Sequence, residues 1–306
     1  MGISTADIKQ LREKTGAGMM DCKKALSEND GDMEQAIDWL RTKGLSAAAK
    51  KSGRVAAEGL IALAANDTQG ALIELNSETD FVAKNDKFQL LAKNIAGAAL
   101  EQQAADVEAL KEVTYPGGDK SIADEVVEHV GVIGENLQLR RSAFIEGDIV
   151  VPYIHNSVAD GLGKIGVLVA LSTSGDADKA RDLGKQIAMH VAAARPESLD
   201  VDGLDQELVN REKEVLTEQA RESGKPDNVI EKMIEGRIRK FYAEVVLLEQ
   251  AFVIDGKTPV KQILADAAKE IGGDVTISGY ARLQLGEGVE KKEEDFAAEV
   301  AKAANG

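Results

Sequence analysis

The sequence predicts an α+β fold in which a small helical head precedes a duplicated core of antiparallel strands and helices. Three observations predict it. Apolar residues recur at helical spacing through the first 44 residues, one strand-and-helix pattern occurs twice, and a pair of long helical patterns interrupts the second occurrence. With 306 residues, of which 43% are hydrophobic, the chain can bury a sizeable core, and we expect more than one domain.

The composition indicates a protein partner rather than nucleic acid or a membrane. The net charge is −16, whereas gripping a phosphate backbone takes clustered Lys and Arg. The charge is uneven, because residues 1–54 carry +2 and the rest carries −18. No run approaches the roughly 20 apolar residues of a membrane span, residues 1–10 lack a signal-peptide pattern, and the single Cys22 excludes an internal disulfide. We therefore expect a cytoplasmic protein with no membrane and no direct nucleic-acid contact.

The head has the pattern of three short helices. The first begins near Ser4, the second covers residues 19–26, and the third ends at Gly44, before an Ala- and Lys-rich tail. Met19 and Met20 begin the second helix, where adjacent residues point about 100° apart, so only one faces the core easily. Methionine suits both a binding surface and a core gap, and the sequence leaves both interpretations open.

An internal repeat organises the core. Three pairs of segments match: 70–76 with 166–172 at a shift of 96, 92–96 with 184–188 at a shift of 92, and 133–139 with 271–277 at a shift of 138. The first copy therefore carries four extra residues between its strand and its helix. The second copy carries 46 extra residues between its helix and its last strand.

The four extra residues fall in the loop that holds Asp80 and Phe81. A loop aromatic between charged residues either folds back into the core or is offered to a partner, and by composition the core interpretation is the more common. Extra loop length on a rigid scaffold commonly carries function. The repeat therefore favours a Phe81 that faces a partner.

The 46-residue insertion predicts an antiparallel helical hairpin. The mostly apolar stripes of its two helices are Leu204, Leu208, Val215 and Gln219 on one arm, and Ile230, Ile234, Ile238, Phe241 and Val245 on the other. A Gly and a Pro in the turn at 223–226 suit the end of one helix and the start of the next. Each arm of about 20 residues would reach about 30 Å as a coiled coil. A solvated strut and a contact arm for another chain both stay open.

The sequence motifs that resemble nucleotide-binding or metal sites lack the flanking residues or elements that such sites require. Gly161–Gly166 fits a dinucleotide fingerprint, but a strand follows it where a helix is required, so we predict a hairpin turn. Asp255–Thr258 resembles the end of a phosphate loop without its first glycine. The histidines are scattered at His129, His155 and His190. We expect no catalytic residue, no cofactor and no metal; His190 is predicted to be a core residue and His155 an exposed one.

Three motifs carry a family resemblance. Residues 11–26 (LREKTGAGMMDCKKAL), residues 79–85 (TDFVAKN) and the turn at 133–136 (IGEN) strongly resemble bacterial translation elongation factor Ts, and the resemblance covers essentially the whole chain. It implies a ubiquitin-associated-like three-helix head, a two-part α+β core, a coiled coil and a C-terminal helical module. The loop Asn156–Gly163 is longer than the family pattern suggests.

The resemblance and the repeat together divide the chain. The predicted parts are the head at 1–54, core subdomain N at 55–146, core subdomain C at 147–200 and 246–285, the coiled-coil hairpin at 201–245, and the C-terminal module at 286–306. The family implies a guanine-nucleotide exchange factor that binds elongation factor Tu and promotes GDP release, with no bond made or broken and hence no enzyme. The alternatives are a protein-binding adaptor that uses the head and coiled coil, and a nucleotide-dependent enzyme that uses Gly161–Gly166.

The resemblance also implies which residues touch the partner. The head around Met19, Met20 and Lys23 docks on the nucleotide-binding domain of elongation factor Tu, while Asp80 and Phe81 intrude near its Mg²⁺ and phosphate site. Further expected contacts are Lys51, Thr79, Val82, Ile133, Gly134 and His155. A ring can part close-packed helices, and a carboxylate disturbs a charge-balanced phosphate site. Whether the coiled coil contacts the same partner or a second copy of this chain stays open.

Overall fold

The computed structural model describes residues 3–15, 17–221 and 226–290. The predicted turn at 223–225 and the predicted tail beyond residue 290 lie outside this part of the chain. The elements in chain order are α1 (Thr5–Thr15), α2 (Met19–Glu28), α3 (Met33–Lys51), β1 (Glu58–Ala65), β2 (Gln69–Ser77), α4 (Asp86–Glu101), α5 (Val107–Glu112), α6 (Ile122–Ile133), β3 (Gln138–Glu146), β4 (Ile149–His155), β5 (Leu162–Gly163), β6 (Ile165–Thr173), α7 (Ala177–Ala194), α8 (Gln206–Arg221), α9 (Asp227–Val245), α10 (Val260–Ile271) and β7 (Val275–Gln284).

Two antiparallel sheets pack face to face, with helices on both outer faces. Their strand orders are β3-β2-β1-β5 and β4-β6-β7. Helices α4 and α6 cover the first sheet, and α7 and α10 cover the second. At the centre, a Cβ on Gly70 would lie 2.6 Å from the Leu168 side chain, and one on Gly166 would lie 2.7 Å from Ile61 and Leu72. At these two positions, which are equivalent in the repeat, a larger residue would force the facing side chains to shift. The two antiparallel sheets and the helices that cover them confirm the predicted mixed α+β class.

The geometry reproduces the three shifts of the repeat. The β2–β3 ladder has a bulge between Glu74 and Leu75, and the β6–β7 ladder has one 96 residues later, between Ala170 and Leu171. Gly134 and Gly272 end α6 and α10 in the left-handed conformation, 138 residues apart. The buried faces of the two equivalent helices also correspond, at a shift of 92: Phe88, Leu91, Ala92, Ile95 and Ala96 in α4 match Ala180, Leu183, Gly184, Ile187 and Ala188 in α7.

The third head helix is longer than predicted. It continues through Gly44 to Lys51, so the prediction that it ends at Gly44 is wrong. The physical reason is a helix crossing: a Cβ on Gly131 of α6 would lie 3.0 Å from the Gly44 Cα. Gly44 therefore allows close approach between head and core and does not break the helix. A cleft of about 360 Å³ lies beside this crossing.

The insertion forms two packed helices, α8 and α9, whose buried face differs in part from the prediction. Gln219 of α8 hydrogen-bonds Arg237 of α9 at 3.0 Å. On the second arm, the predicted Ile230 and Ile238 are buried. On the first arm, the interior residues are Leu204, Val209, Leu216 and Ala220. The predicted Leu208 is partly buried beside Leu204 and Val209. The predicted Val215 is 45% exposed, and its neighbour Leu216 is buried instead.

The glycine-rich segment at 161–166 belongs to the predicted hairpin, because it connects β4 to the antiparallel β6, with His155 paired to Ile165. Leu162 and Gly163 form β5, which pairs with Ala62 and Ile61 of the first sheet. Residue 165 then begins β6 of the second sheet. A strand follows the glycines, as predicted, and the segment joins the two sheets. Among the described helices, none is long and apolar enough to cross a membrane.

Candidate functional site

The loop after β2 presents an exposed tip on a buried base. Phe81 is 76% exposed, while the next two residues, Val82 and Ala83, are buried in the core of the first sheet. Val82, Ala83 and Lys84 form a short 3₁₀ helix, and Asn85 then caps α4 by accepting the backbone N–H groups of residues 87 and 88. The loop therefore holds Phe81 outside the core by anchoring the residue after it. Val82, a predicted contact residue, serves as that anchor.

The turn after α6 holds the other side of this loop. The Thr79 N–H and hydroxyl donate to the Glu135 carboxylate at 2.9 and 2.6 Å. In return, the Asn136 N–H donates to Glu78 Oε1 at 2.6 Å. These bonds bring Gly134, which has a φ of +88°, to the same edge as the loop. Ile133 precedes it as the last residue of α6, so the predicted residues of both segments are grouped together.

The end of the third head helix joins the same group. Arg54 lies 3.4 Å from the Glu78 carboxylate, and its carbonyl accepts a hydrogen bond from the Asn136 side chain at 2.8 Å. The Arg54 N–H in turn donates to the Lys51 carbonyl at 2.8 Å. Lys51 is half-buried at the last turn of α3. The structure thus places Lys51 close to the segment that carries Phe81.

The head presents its two methionines to solvent. Met19 is 58% exposed and Met20 is 75% exposed, and Lys23 is exposed one turn later. The core side of α2 consists of Cys22, Ala25 and Leu26, so neither methionine fills the core. Burial raises the pKa of the Cys22 thiol, which makes it a poor nucleophile. Of the two interpretations of the methionines, the geometry favours the binding surface.

His155 lies at the same end of the two-sheet core as Phe81. It ends β4 and is exposed, with its Nδ1 2.9 Å from the Tyr153 hydroxyl. The next residue, Asn156, lines a cleft together with Glu58. Glu58 pairs with Ser77, the last residue of β2 before the loop. The predicted site residues of the core thus share one end of the molecule.

The other two histidines, His190 and His129, make contacts within the fold. His190 is buried, accepts the Val253 N–H at 3.1 Å and contacts Gln250 Oε1 at 2.9 Å. Burial lowers its pKa. His129 contacts Glu125 within α6. Across residues 3–15, 17–221 and 226–290, no group of three or more His, Cys, Asp or Glu side chains is placed to hold a metal ion.

Sequence reasoning missed the residues that hold the loop. Glu78, Glu135 and Arg54 bond to segments far from them in the chain, and none was predicted as a site residue. Glu135 and Asn136 belong to the motif at 133–136 that carries the family resemblance, but the contacts predicted within it are Ile133 and Gly134 alone. Their signal was present in the motif, but the partner of each side chain becomes visible only in the fold.

Comparison with known proteins places these features in a family. Residues 78–287 match the family model described as Elongation factor TS. The Elongation factor Ts of Rhodospirillum centenum is 55% identical over 304 residues, which cover 99% of both chains. That of Parvibaculum lavamentivorans is 56% identical over 306 residues, again 99% of each, and that of Bartonella bacilliformis is 54% identical over 308 residues and the full length of both. The chain therefore belongs to the elongation factor Ts family.

Proposed function

We propose that this chain is a guanine-nucleotide exchange factor that binds elongation factor Tu and promotes the release of GDP during translation elongation in the cytoplasm. The observation that carries the proposal is the 76% exposure of Phe81 on a loop whose next two residues are buried. A large apolar ring held in solvent costs solubility unless a partner covers it. The exchange factor makes and breaks no bond.

The proposed contact surface has two parts. Met19, Met20 and Lys23 of the head would dock on the nucleotide-binding domain of elongation factor Tu. At the end of the core, Asp80 and Phe81 would enter near the bound Mg²⁺ and phosphates. The flanking contacts would be Lys51, Thr79, Ile133, Gly134 and His155. Val82 would act from within the core by fixing Phe81.

Release follows from a coupling between two ligands. If GDP weakens the binding of the factor to elongation factor Tu, then the factor must weaken the binding of GDP by the same ratio. Each tenfold change corresponds to about 1.4 kcal/mol. A carboxylate at position 80 opposes the negative phosphates, and the Phe81 ring separates packed side chains that otherwise close the nucleotide site. Both effects favour the nucleotide-free complex.

The outlying parts of the chain have proposed roles of their own. We assign residues 1–54 to a ubiquitin-associated-like head, 55–146 and 147–200 with 246–285 to the two halves of the core, and 286–306 to a C-terminal module. The hairpin at 201–245 would form a coiled coil that touches elongation factor Tu or a second copy of this chain. Sedimentation of the chain alone and with its partner separates these two uses.

The deciding experiment follows fluorescent GDP leaving elongation factor Tu. Purified chain should accelerate the release in a saturable way, whereas the chain alone should not bind the nucleotide in a direct titration. Binding to elongation factor Tu without faster release would support the adaptor instead. Nucleotide binding by the chain itself would support the enzyme hypothesis.

A further inference from the structure

We propose that Glu135 is a positioning residue for exchange, which holds Thr79 and therefore Asp80 and Phe81 in place before the partner arrives. This inference rests on the proposed function. It starts from the carboxylates of Glu78 and Glu135, each of which accepts a backbone N–H from the residue next to the other in the chain.

Hydrogen bonds to the two carboxylates run in both directions between the loop and the turn after α6. Glu135 accepts both the N–H and the hydroxyl of Thr79, at 2.9 and 2.6 Å. Glu78 accepts the N–H of Asn136 at 2.6 Å. Hydrogen bonds to an ionised carboxylate are stronger than neutral ones. Because each segment supplies one acceptor and at least one donor, neither can shift without losing hydrogen bonds that it donates and hydrogen bonds that it accepts.

The second copy of the repeat shows what the fold needs at this junction. Its residues Ser174 and Asp274 correspond to Glu78 and Asn136. The Asp274 N–H donates to the Ser174 hydroxyl at 3.0 Å, which is the equivalent bond. The scaffold can therefore close this junction with a neutral serine.

The other pair differs in kind. Gly175 and Gly273 stand where the first copy has Thr79 and Glu135. Their backbones approach so closely that a Cβ on Gly273 would lie 2.6 Å from the Gly175 nitrogen. In the first copy, a side-chain bridge replaces this direct backbone contact. The bridge accompanies the longer loop, which suggests that it serves the loop rather than the scaffold.

The bridge lowers the cost of docking. Val82 and Ala83 anchor the loop on one side of Phe81, and Glu135 anchors it on the other through Thr79. Without the second anchor, residues 79–81 would lose conformational freedom only as Asp80 and Phe81 enter the nucleotide site of the bound partner, and that ordering opposes the step that releases GDP. We therefore expect Glu135→Ala to reduce the maximal rate of GDP release by about fivefold to tenfold, the usual scale for losing one or two hydrogen bonds.

The test uses variants that distinguish loss of the Thr79–Glu135 hydrogen bonds from loss of side-chain volume. Glu135→Ala removes the acceptor, and Thr79→Val removes the hydroxyl at nearly constant shape. Thr79→Ser restores the hydroxyl and should restore the rate. Glu101→Gln, at an exposed position at the end of α4, is the matched control and should leave release unchanged. If Glu135→Ala does not fold, Thr79→Val carries the test.

Three quantities are measured on each protein: fluorescent-GDP release from elongation factor Tu against factor concentration, hydrogen exchange of the Thr79 amide by NMR, and the melting temperature. We expect faster exchange of the Thr79 amide in Glu135→Ala and a lower maximal release rate in both bridge variants, at nearly constant melting temperature. Unchanged amide exchange, or a normal release rate with a deprotected amide, overturns the positioning role. So does a rate loss that Thr79→Ser shares with Thr79→Val.

The unmodified chain distinguishes failure of the proposed function from failure of the positioning role alone. If the unmodified chain does not release GDP, the proposed function fails and the positioning role fails with it. If the unmodified chain is active and Glu135→Ala and Thr79→Val are equally active, only the positioning role fails.

Discussion

Truncating Phe81 should separate stability from exchange. Its ring is 76% exposed, so Phe81→Ala should change the free energy of unfolding by less than ~0.5 kcal/mol. Phe88, in the first turns of α4, is fully buried and provides a matched control in the same region. Phe88→Ala should cost roughly 3–5 kcal/mol, because it leaves a cavity under the first sheet.

The expected loss of exchange follows from the area that the ring can bury. A phenylalanine side chain buries on the order of 200 Å², of which about three quarters is exposed here. At about 25 cal/mol per Å², full burial against the partner would contribute about 4 kcal/mol. Since docking also orders side chains and desolvates polar groups, we expect about half of this, or ~2 kcal/mol. Release should then slow by roughly 30-fold.

One preparation of Phe81→Ala decides the matter by two measurements. A melting curve should match that of the unmodified chain, while fluorescent-GDP release from elongation factor Tu should slow. Phe88→Ala should show the reverse pattern, with a large drop in melting temperature and normal release per folded molecule at low temperature. A large drop in the melting temperature of Phe81→Ala with normal release would refute the partner-facing role of the ring.

Three further predictions test other parts of the chain. Met19→Ala and Lys23→Ala should weaken binding to elongation factor Tu with an unchanged melting temperature, because these side chains are exposed on α2; titrations that match the unmodified chain would remove the head from the interface. Replacing residues 202–242 by a short linker should leave a core that unfolds cooperatively in urea, since the first copy of the repeat lacks this insertion; a broad, non-cooperative transition would contradict this. Burial lowers the pKa of His190 below its ordinary value of 6.5, so the stability that the neutral ring contributes should be present above pH 6.5 and fall as the pH drops below that value. Urea titrations at pH 7.5 and 5.5 should therefore show a smaller pH effect on stability in His190→Gln than in the unmodified chain. An equal effect in both proteins would exclude His190 as the cause.

Much of the fold could be predicted because the repeat supplies evidence from two places in the chain. Gly134 and Gly272 end equivalent helices, and the strand patterns around Leu72 and Leu168 meet the same requirement for a buried apolar face. The loop of Phe81 could also be predicted, since its four extra residues are visible when the two copies are compared. These features depend on short stretches of sequence, where periodicity and turn chemistry act directly.

The errors lie where tertiary contact overrides local preference. Gly44 has the chemistry of a helix end, but its missing side chain is used for the approach to Gly131 of α6. On the first arm of the hairpin, few apolar residues define the stripe, so the second helix decides that Leu216 rather than Val215 is buried. The bridge from Thr79 to Glu135 joins residues 56 apart in sequence, and no local pattern reports such a bond.

The duplication explains why most of the proposed contacts in the core lie on the first copy. The two sheets supply each other's central packing surface, and glycines at positions 70 and 166 admit side chains from the opposite sheet. A change within these strands would therefore disturb both halves at once, whereas a connection can lengthen without altering the packed faces. The first copy lengthens the connection from β2 to α4, and the second lengthens the one from α7 to α10. Only the former ends beside the turn at 134–136 and the last residues of the head, so only there can one rigid group combine residues from the head, the loop and the core.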